Sequence, residues 1–444
     1  MSHTALNRRE LLAMAGGALA TLGWSSRSHG DDRPSVTDPR ATSGDAAHEP
    51  DWKSRLSMTV GPDKADLVGN SDRAIQAAVD YIARLGGGTV HILPGEYRLR
   101  NAVYLQSKVR LRGSGDNSVL IKEPSVRTKL AADSDWYDQE ITLADAAGFR
   151  VGDGVCLQTT NPHNGGSEVL KRTLVARSGN RFKLDRPLRK NFWLMGESTA
   201  ASLFPIINCE NVAHVAIEDI TLDGNREQNE NLDGNHAGCI FAQDCSRLTF
   251  RDVTARNYNG DGISWQICHD VRVEDCTSQN NAGLGLHPGS GSQRPLIRGN
   301  RVVGNDIGIF FCWGVKYGLA EDNVVEDTRR HGISIGHRDT NNLIRGNTVR
   351  NSGEVGVLFR PERGHDFAPH HNRLEDNQIV NVGNEDGVGV DVRGETESVT
   401  ITGNDVRETN GPAKRVGIRV GAETRDIRLN ENDVEGFSVD VERM

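Results

Sequence analysis

An all-β, single-stranded parallel β-solenoid closed at its start by a helix is the fold class this sequence predicts. Three observations carry that reading. Between Leu296 and Val434 the chain repeats itself about every 23 to 30 residues, as in Leu-Ile-Arg-Gly-Asn at 296–300 and again at 343–347. Asn300, Asn323, Asn347, Asn377, Asn404 and Asn432 hold one register of the repeat. Gly262, Gly285, Gly308, Gly332, Gly356, Gly389 and Gly417 hold a second, each followed by an aliphatic residue. Self-similarity at that period marks stacked coils, and the short apolar alternation within each unit reads as strands rather than helix.

One coil of short strands cannot bury its inner face, so each must stack on the next at about 4.8 Å. The aliphatic column then becomes a continuous core. A turn amide can donate to one neighbouring coil and accept from another, so the Asn column is expected to form an internal ladder. Leucine-rich repeats are disfavoured, because their Leu/Asn consensus and helical segments are missing.

Taken from the start, residues 1–30 read as an export signal. Arg8-Arg9 precedes an apolar, small-residue run over 11–23 that is too short to span a bilayer comfortably. The Arg pair is similar to a twin-arginine signal, with Asn7 before it and Leu rather than Phe in the following positions. Periplasmic or extracellular export is the expectation. Residues 31–55 are polar and read as a disordered linker. The β-helix domain is placed at 56–444.

Residues 71–85 carry apolar side chains at Ile75, Ala78, Val79, Ile82 and Leu85, with Ser71 as N-cap and Gly86 as terminator. An amphipathic helix here would cover the open end of the first coil. Residues 141–190 interrupt the coil pattern and are expected to form a small β insertion able to wall a cleft.

Composition bounds the function. Hydrophobic residues make up 36% and aromatics 5% of 444 residues, which suits a thin core under a large surface. A formal charge of −9 without a basic cluster argues against nucleic acid. A monomer is expected. Seven cysteines are present; Cys245 and Cys268 fall at matching coil positions, and buried free thiols are preferred over a disulfide. Ligand spacing implies no metal or other cofactor, with calcium alone left open.

The helix at 71–85, Gly-Gly-Gly-Thr-Val at 86–90 and Leu-Pro-Gly-Glu-Tyr at 93–97 resemble the N-terminal cap of the pectate lyase superfamily. With the coils, the resemblance covers about residues 60–440. It implies a right-handed parallel β-helix and, commonly, activity on polysaccharides. Asn259-Gly260-Asp261-Gly262 resembles the Asn-Thr-Asp-Gly of polygalacturonases, and the stretch from Arg330 to Gly336 resembles their Gly-His-Gly element. Their paired aspartates are replaced by Asn281-Ala282-Gly283, and Asn305-Asp306 comes a coil later. Gly285-Leu286-His287-Pro288 is faintly similar to the Asp-Pro-His of mannuronan epimerases, with the Asp replaced.

Counting from each Gly of the second register, the first and third following residues should point inward and the second and fourth outward. Ser264, His287, Phe310, Ser334, Leu358, Asp391 and Arg419 then share the outer face. Residues one coil apart lie about 5 Å from each other, and those two coils apart about 10 Å. Asp261, His287, Asp306 and His331 are therefore the catalytic candidates. Asp261 and Asp306 approach the separation of about 6.5–9.5 Å that suits inverting hydrolysis. His287 or His331 with Arg360 would instead suit proton abstraction beside a uronate carboxylate. Substrate binding is assigned to His236, Phe310, Trp313, His337, Arg338, Arg360, Glu362 and Arg363, the last three at the start of the longest loop of the repeats. The expected function is an exported enzyme on a polysaccharide, an anionic one included, with hydrolysis ahead of elimination or epimerisation. A non-catalytic glycan-binding or surface solenoid is the alternative from another class.

Overall fold

The structure is a computed structural model that describes residues 32–37 and 47–444. The chain divides into two units, Met1–Asp32 and Arg33–Met444. Only Asp32 of the first is described, so the export signal read at 1–30 lies outside the described residues. The second unit is the solenoid.

Each regular coil contributes three short strands, such as Leu296–Arg298, Arg301–Val303 and Ile307–Phe310. Each pairs in parallel with its counterpart one coil on, Leu296 with Leu319, Arg301 with Val324 and Ile309 with Ile333. The third strands build an eleven-stranded sheet that runs from Val103–Tyr104 to Val439–Arg443. Its inward column, Ile263, Leu286, Ile309, Ile333, Val357, Val390 and Ile418, is fully buried in one core. That agrees with the orientation read from the repeat.

The glycine register has a packing cause. A Cβ on Gly308 would lie 2.5 Å from the Gly332 carbonyl oxygen, and one on Gly332 would lie 2.6 Å from that of Gly356. Stacked coils leave no room there for any side chain.

Asparagines turn the corner between the first and second strands. The Asn323 amide nitrogen donates to Asn347 Oδ1 at 2.8 Å, Asn347 to Asn377 at 2.9 Å and Asn377 to Asn404 at 2.9 Å, so the expected ladder is internal. Shorter ladders absent from the sequence reading join Asn281 to Asn305 and Asn342 to Asn372. A buried amide left without its partner would cost about 1–3 kcal/mol, which fixes the residue type at every rung.

The capping helix runs Asp72–Arg84 and buries Ala74, Ile75, Ala78, Val79 and Ile82 against the first coil. Ser71 stands at its N-cap but makes no side-chain capping bond.

Two boundaries differ from expectation. The insertion is an antiparallel six-stranded sheet over 127–201, wider than 141–190, because Arg127–Lys129 and Thr199–Ala201 pair with each other and extend it. It has its own core around Leu143, Leu157, Phe182 and Phe192. The stretch read as a disordered linker is bound where it is described. Arg33 donates to the Arg294 carbonyl at 2.7 Å, and Glu49 accepts from Thr249 at 2.8 Å and Arg251 at 3.2 Å. Its polar side chains pair with polar groups on the outside of the coils, which composition alone reads as solvation.

Candidate functional site

The outer face of the eleven-stranded sheet holds one buried polar constellation. Asp261 begins the strand Asp261–Gln266, and Ser264 of that strand pairs with His287 on the adjoining coil. His287 Nδ1 lies 2.8 Å from Asp261 Oδ2, with both side chains nearly solvent-free. Asp261 Oδ1 accepts the Leu284 backbone N–H at 2.9 Å. Ser264 Oγ sits 3.4 Å from His287 Nδ1 and donates to the Gly234 carbonyl at 2.7 Å.

The loop that carries Gly234 lies directly over Asp261. A Cβ on Gly234 would fall 1.6 Å from Asp261 Oδ2, so only glycine permits that approach. Buried between this loop and the sheet, the carboxylate fixes the ring by a charge-assisted hydrogen bond, with the Nδ1 proton toward Asp261. His287 Nε2 is then the lone-pair nitrogen, and it is buried without a hydrogen-bond partner among the described residues.

Phe310 flanks this ring, edge-on with centroids 5.5 Å apart. Arg360 covers Phe310, its guanidinium carbon 4.3 Å from the ring centroid. Arg360 donates to Ser334 Oγ at 2.8 Å and to the Phe311 carbonyl at 2.9 Å, and it lies 3.5 Å from both Asp339 and Glu362. Asp339, which the sequence reading passed over, is fully buried and receives backbone N–H bonds from Gly314, Val315 and Gly336. Burial raises its pKa to about 7 against the opposing pull of Arg360 and those donors. It acts as an internal turn clasp.

The other two catalytic candidates are not joined to this pair. Asp306 Oδ2 takes two hydrogen bonds from Arg330, at 2.6 and 3.0 Å, and Oδ1 lies 3.6 Å from Arg329. Two arginines contributed by the next coil thus claim the carboxylate that the spacing had matched with Asp261. His331 Nδ1 lies 3.6 Å from Glu354 and has no hydrogen bond. Burial, then Arg330 and Arg360, push its pKa down to about 4.

Several of the expected binding residues gather at the exit of the strands. Trp313 and His337 stack at 4.4 Å with planes 20° apart, and Arg363 lies 5.7 Å from the Trp313 ring. Phe367, missed in the sequence, packs 5.1 Å from His337 and 4.2 Å from the Arg338 guanidinium. Glu362 accepts the His337 backbone N–H at 2.8 Å. A cavity of about 520 Å³ opens between Ser290, Gly291, Trp313, His337 and Arg338. His287 is not among its lining residues; the cavity lies beside the dyad's strands rather than over the ring.

His236 sits on the covering loop, half-buried, with its pKa lowered by burial. The insertion reaches the same face through Lys171. Its ammonium lies 3.8 Å from the Phe241 ring centroid and 3.3 Å from both Asn208 and Glu210. Phe241 pairs with Ser264, which places this lysine over the coil preceding the dyad. Burial lowers its pKa to about 8. Nothing in the sequence around Lys171 signalled that contact, since it depends on how the insertion folds back.

Comparison with known proteins agrees on the architecture. The pattern described as "Right handed beta helix region" matches residues 205–365, and that described as "Periplasmic copper-binding protein (NosD)" matches residues 314–423. No curated protein sequence matches the chain. Among solved structures, the A-module of an Azotobacter vinelandii mannuronan C-5 epimerase is similar over 87% of this chain and 99% of its own, with a TM-score of 0.51 at 15% identity. The Streptococcus pneumoniae surface protein and adhesin PfbA is similar over 84% of this chain and 95% of its own, with a TM-score of 0.50 at 13% identity. The chain therefore has the right-handed parallel β-helix fold. One fold thus serves both an epimerase and an adhesin, so the activity must be argued from side chains. No helix among the described residues is long and apolar enough to cross a membrane.

Proposed function

We propose that this protein is exported and acts on a polysaccharide by proton transfer at His287, with Asp261 holding the ring. The observation that carries the reading is the buried Asp261–His287 pair with Nε2 unpartnered. A carboxylate behind one imidazole nitrogen fixes the tautomer and strengthens the other as a base. The natural chemistry for one such base is removal of the hydrogen beside a uronate carboxylate, leading to elimination or epimerisation. Paired-carboxylate hydrolysis is less well supported, because both oxygens of Asp306 face arginines.

In this mechanism the sugar carbon presents its hydrogen to Nε2, the ring takes the proton, and Asp261 stabilises the resulting imidazolium. Lys171, or Arg360 across Phe310, supplies positive charge toward the substrate carboxylate. The Trp313–His337 stack would hold a neighbouring sugar, since stacked rings offer an apolar face with a polar edge.

The test is a panel of neutral and uronic polysaccharides, followed for reducing ends, ultraviolet-absorbing unsaturated ends and epimer ratio. Unsaturation or a changed epimer ratio, lost in His287→Ala, is expected. New reducing ends alone would return the reading to hydrolysis. A second reading, a glycan-binding solenoid without chemistry, is favoured by the Trp313 cavity, which needs no base; binding with no product would establish it.

A further inference from the structure

The loop after Arg360 carries His365, His370 and His371, and the next coil brings Glu397 against it. One ligand atom from each of His365, His370 and Glu397 falls within 4.8 Å of the other two. His365 Nε2 is 3.2 Å from Glu397 Oε2, and the rings of His365 and His370 are 4.6 Å apart.

The hydrogen bonds of the two imidazoles give this cluster a direction. His370 Nε2 lies 2.7 Å from the His365 carbonyl oxygen, which fixes the proton on Nε2. Its Nδ1 accepts the Glu397 backbone N–H at 3.1 Å and is therefore the lone-pair nitrogen. On His365 the outer nitrogen, Nδ1, is 3.7 Å from Asp366 Oδ1, and Nε2 faces Glu397. His370 thus has one nitrogen engaged by a carbonyl oxygen and the other against the Glu397 backbone N–H, while His365 turns Nε2 to the Glu397 carboxylate. Metal-bound histidines show that arrangement, with the second nitrogen held by a carbonyl or carboxylate.

We infer that His365 Nε2, His370 Nδ1 and Glu397 form a binding site for a divalent transition-metal cation such as zinc. Two imidazole nitrogens and one carboxylate oxygen are a borderline donor set that suits this class. Calcium would require six to eight oxygens, which the cluster lacks. The three side chains are intermediate in burial, so a fourth position stays open to water. The metal would displace the Glu397 N–H from His370 and draw the three ligands together. It would also tie the long loop to the coil below, and that loop carries Arg363 and Phe367 to the Trp313–His337 stack. The spacing argument missed the site because its carboxylate comes from a different coil. The inference stands apart from the polysaccharide reading and survives or fails without it.

The experiment titrates the full chain calorimetrically with zinc, in a buffer free of chelators, with calcium as the comparison ion. One equivalent of zinc is expected, with a zinc-dependent rise in melting temperature and no such rise with calcium. His365→Ala and Glu397→Gln, each checked for a wild-type far-UV spectrum, should each bind at least tenfold more weakly and lose the rise. Wild-type affinity in both variants would overturn the assignment, as would the absence of stoichiometric binding at millimolar zinc. Should one variant fail to fold, the other alone decides between these results.

Discussion

The asparagine corner and the outer face of the eleven-stranded sheet pass through the same coils yet follow opposite rules. Along the corner the residue stays the same from Asn300 to Asn432, because every coil must satisfy the same buried turn groups. Along the outer column it changes at each step from Ser264 through His287 and Phe310 to Ser334, Leu358, Asp391 and Arg419. Stacking constrains the first and leaves the second free. Function is therefore to be sought where the repeat stops being repetitive.

Substitutions can separate the two surfaces. The largest effect is expected from His287→Ala, which should lower turnover of the polysaccharide about 100-fold or more while keeping the far-UV spectrum close to wild type, with a lower melting temperature because Asp261 loses its buried partner. Next, Asn347→Ala should cost about 3 kcal/mol in chemical unfolding, since its amide serves Ala320, Asn377 and Asn323 at once. Activity per folded molecule should be retained, and a specific loss of turnover there would break the division between the surfaces.

A pH series sharpens the comparison further. His331 has its pKa pushed from 6.5 to about 4 in the fold, so the folded state holds it neutral where the unfolded chain is protonated. Its contribution is fully present above pH 6.5 and is lost as pH falls toward 4, a total of about 3 kcal/mol. His331→Gln should flatten that limb of the stability profile. Asp339, raised to about 7, works in the opposite direction: its contribution is present at low pH and declines between about 4 and 7. Trp313→Ala should weaken oligosaccharide binding about tenfold with little change in stability, because the ring is half exposed. Smallest of all, Asp306→Asn should leave turnover within about threefold of wild type.

Much of the architecture was legible because stacking repeats its demands. The Asn ladder and the inward aliphatic column each follow from one physical requirement imposed many times, and the capping helix from its single amphipathic stretch. The insertion was only partly legible; its outer strands, Arg127–Lys129 and Thr199–Ala201, are too short to show alternation. At the site, one-coil spacing allowed Asp261 to reach His287, and the two side chains lie 2.8 Å apart. The same counting could not anticipate Arg329 and Arg330, which reach back from the following coil to Asp306. Lys171 and Glu397 were equally out of reach, since they arrive through tertiary contacts rather than the period.

The most direct test of the central claim follows the hydrogen that His287 is proposed to remove. With a uronan labelled with tritium at the carbon bearing the carboxylate, the wild-type protein should release label to water, Asp306→Asn should do so as well, and His287→Ala should not. Cleavage that retains the label, or release that survives loss of His287, would contradict the account.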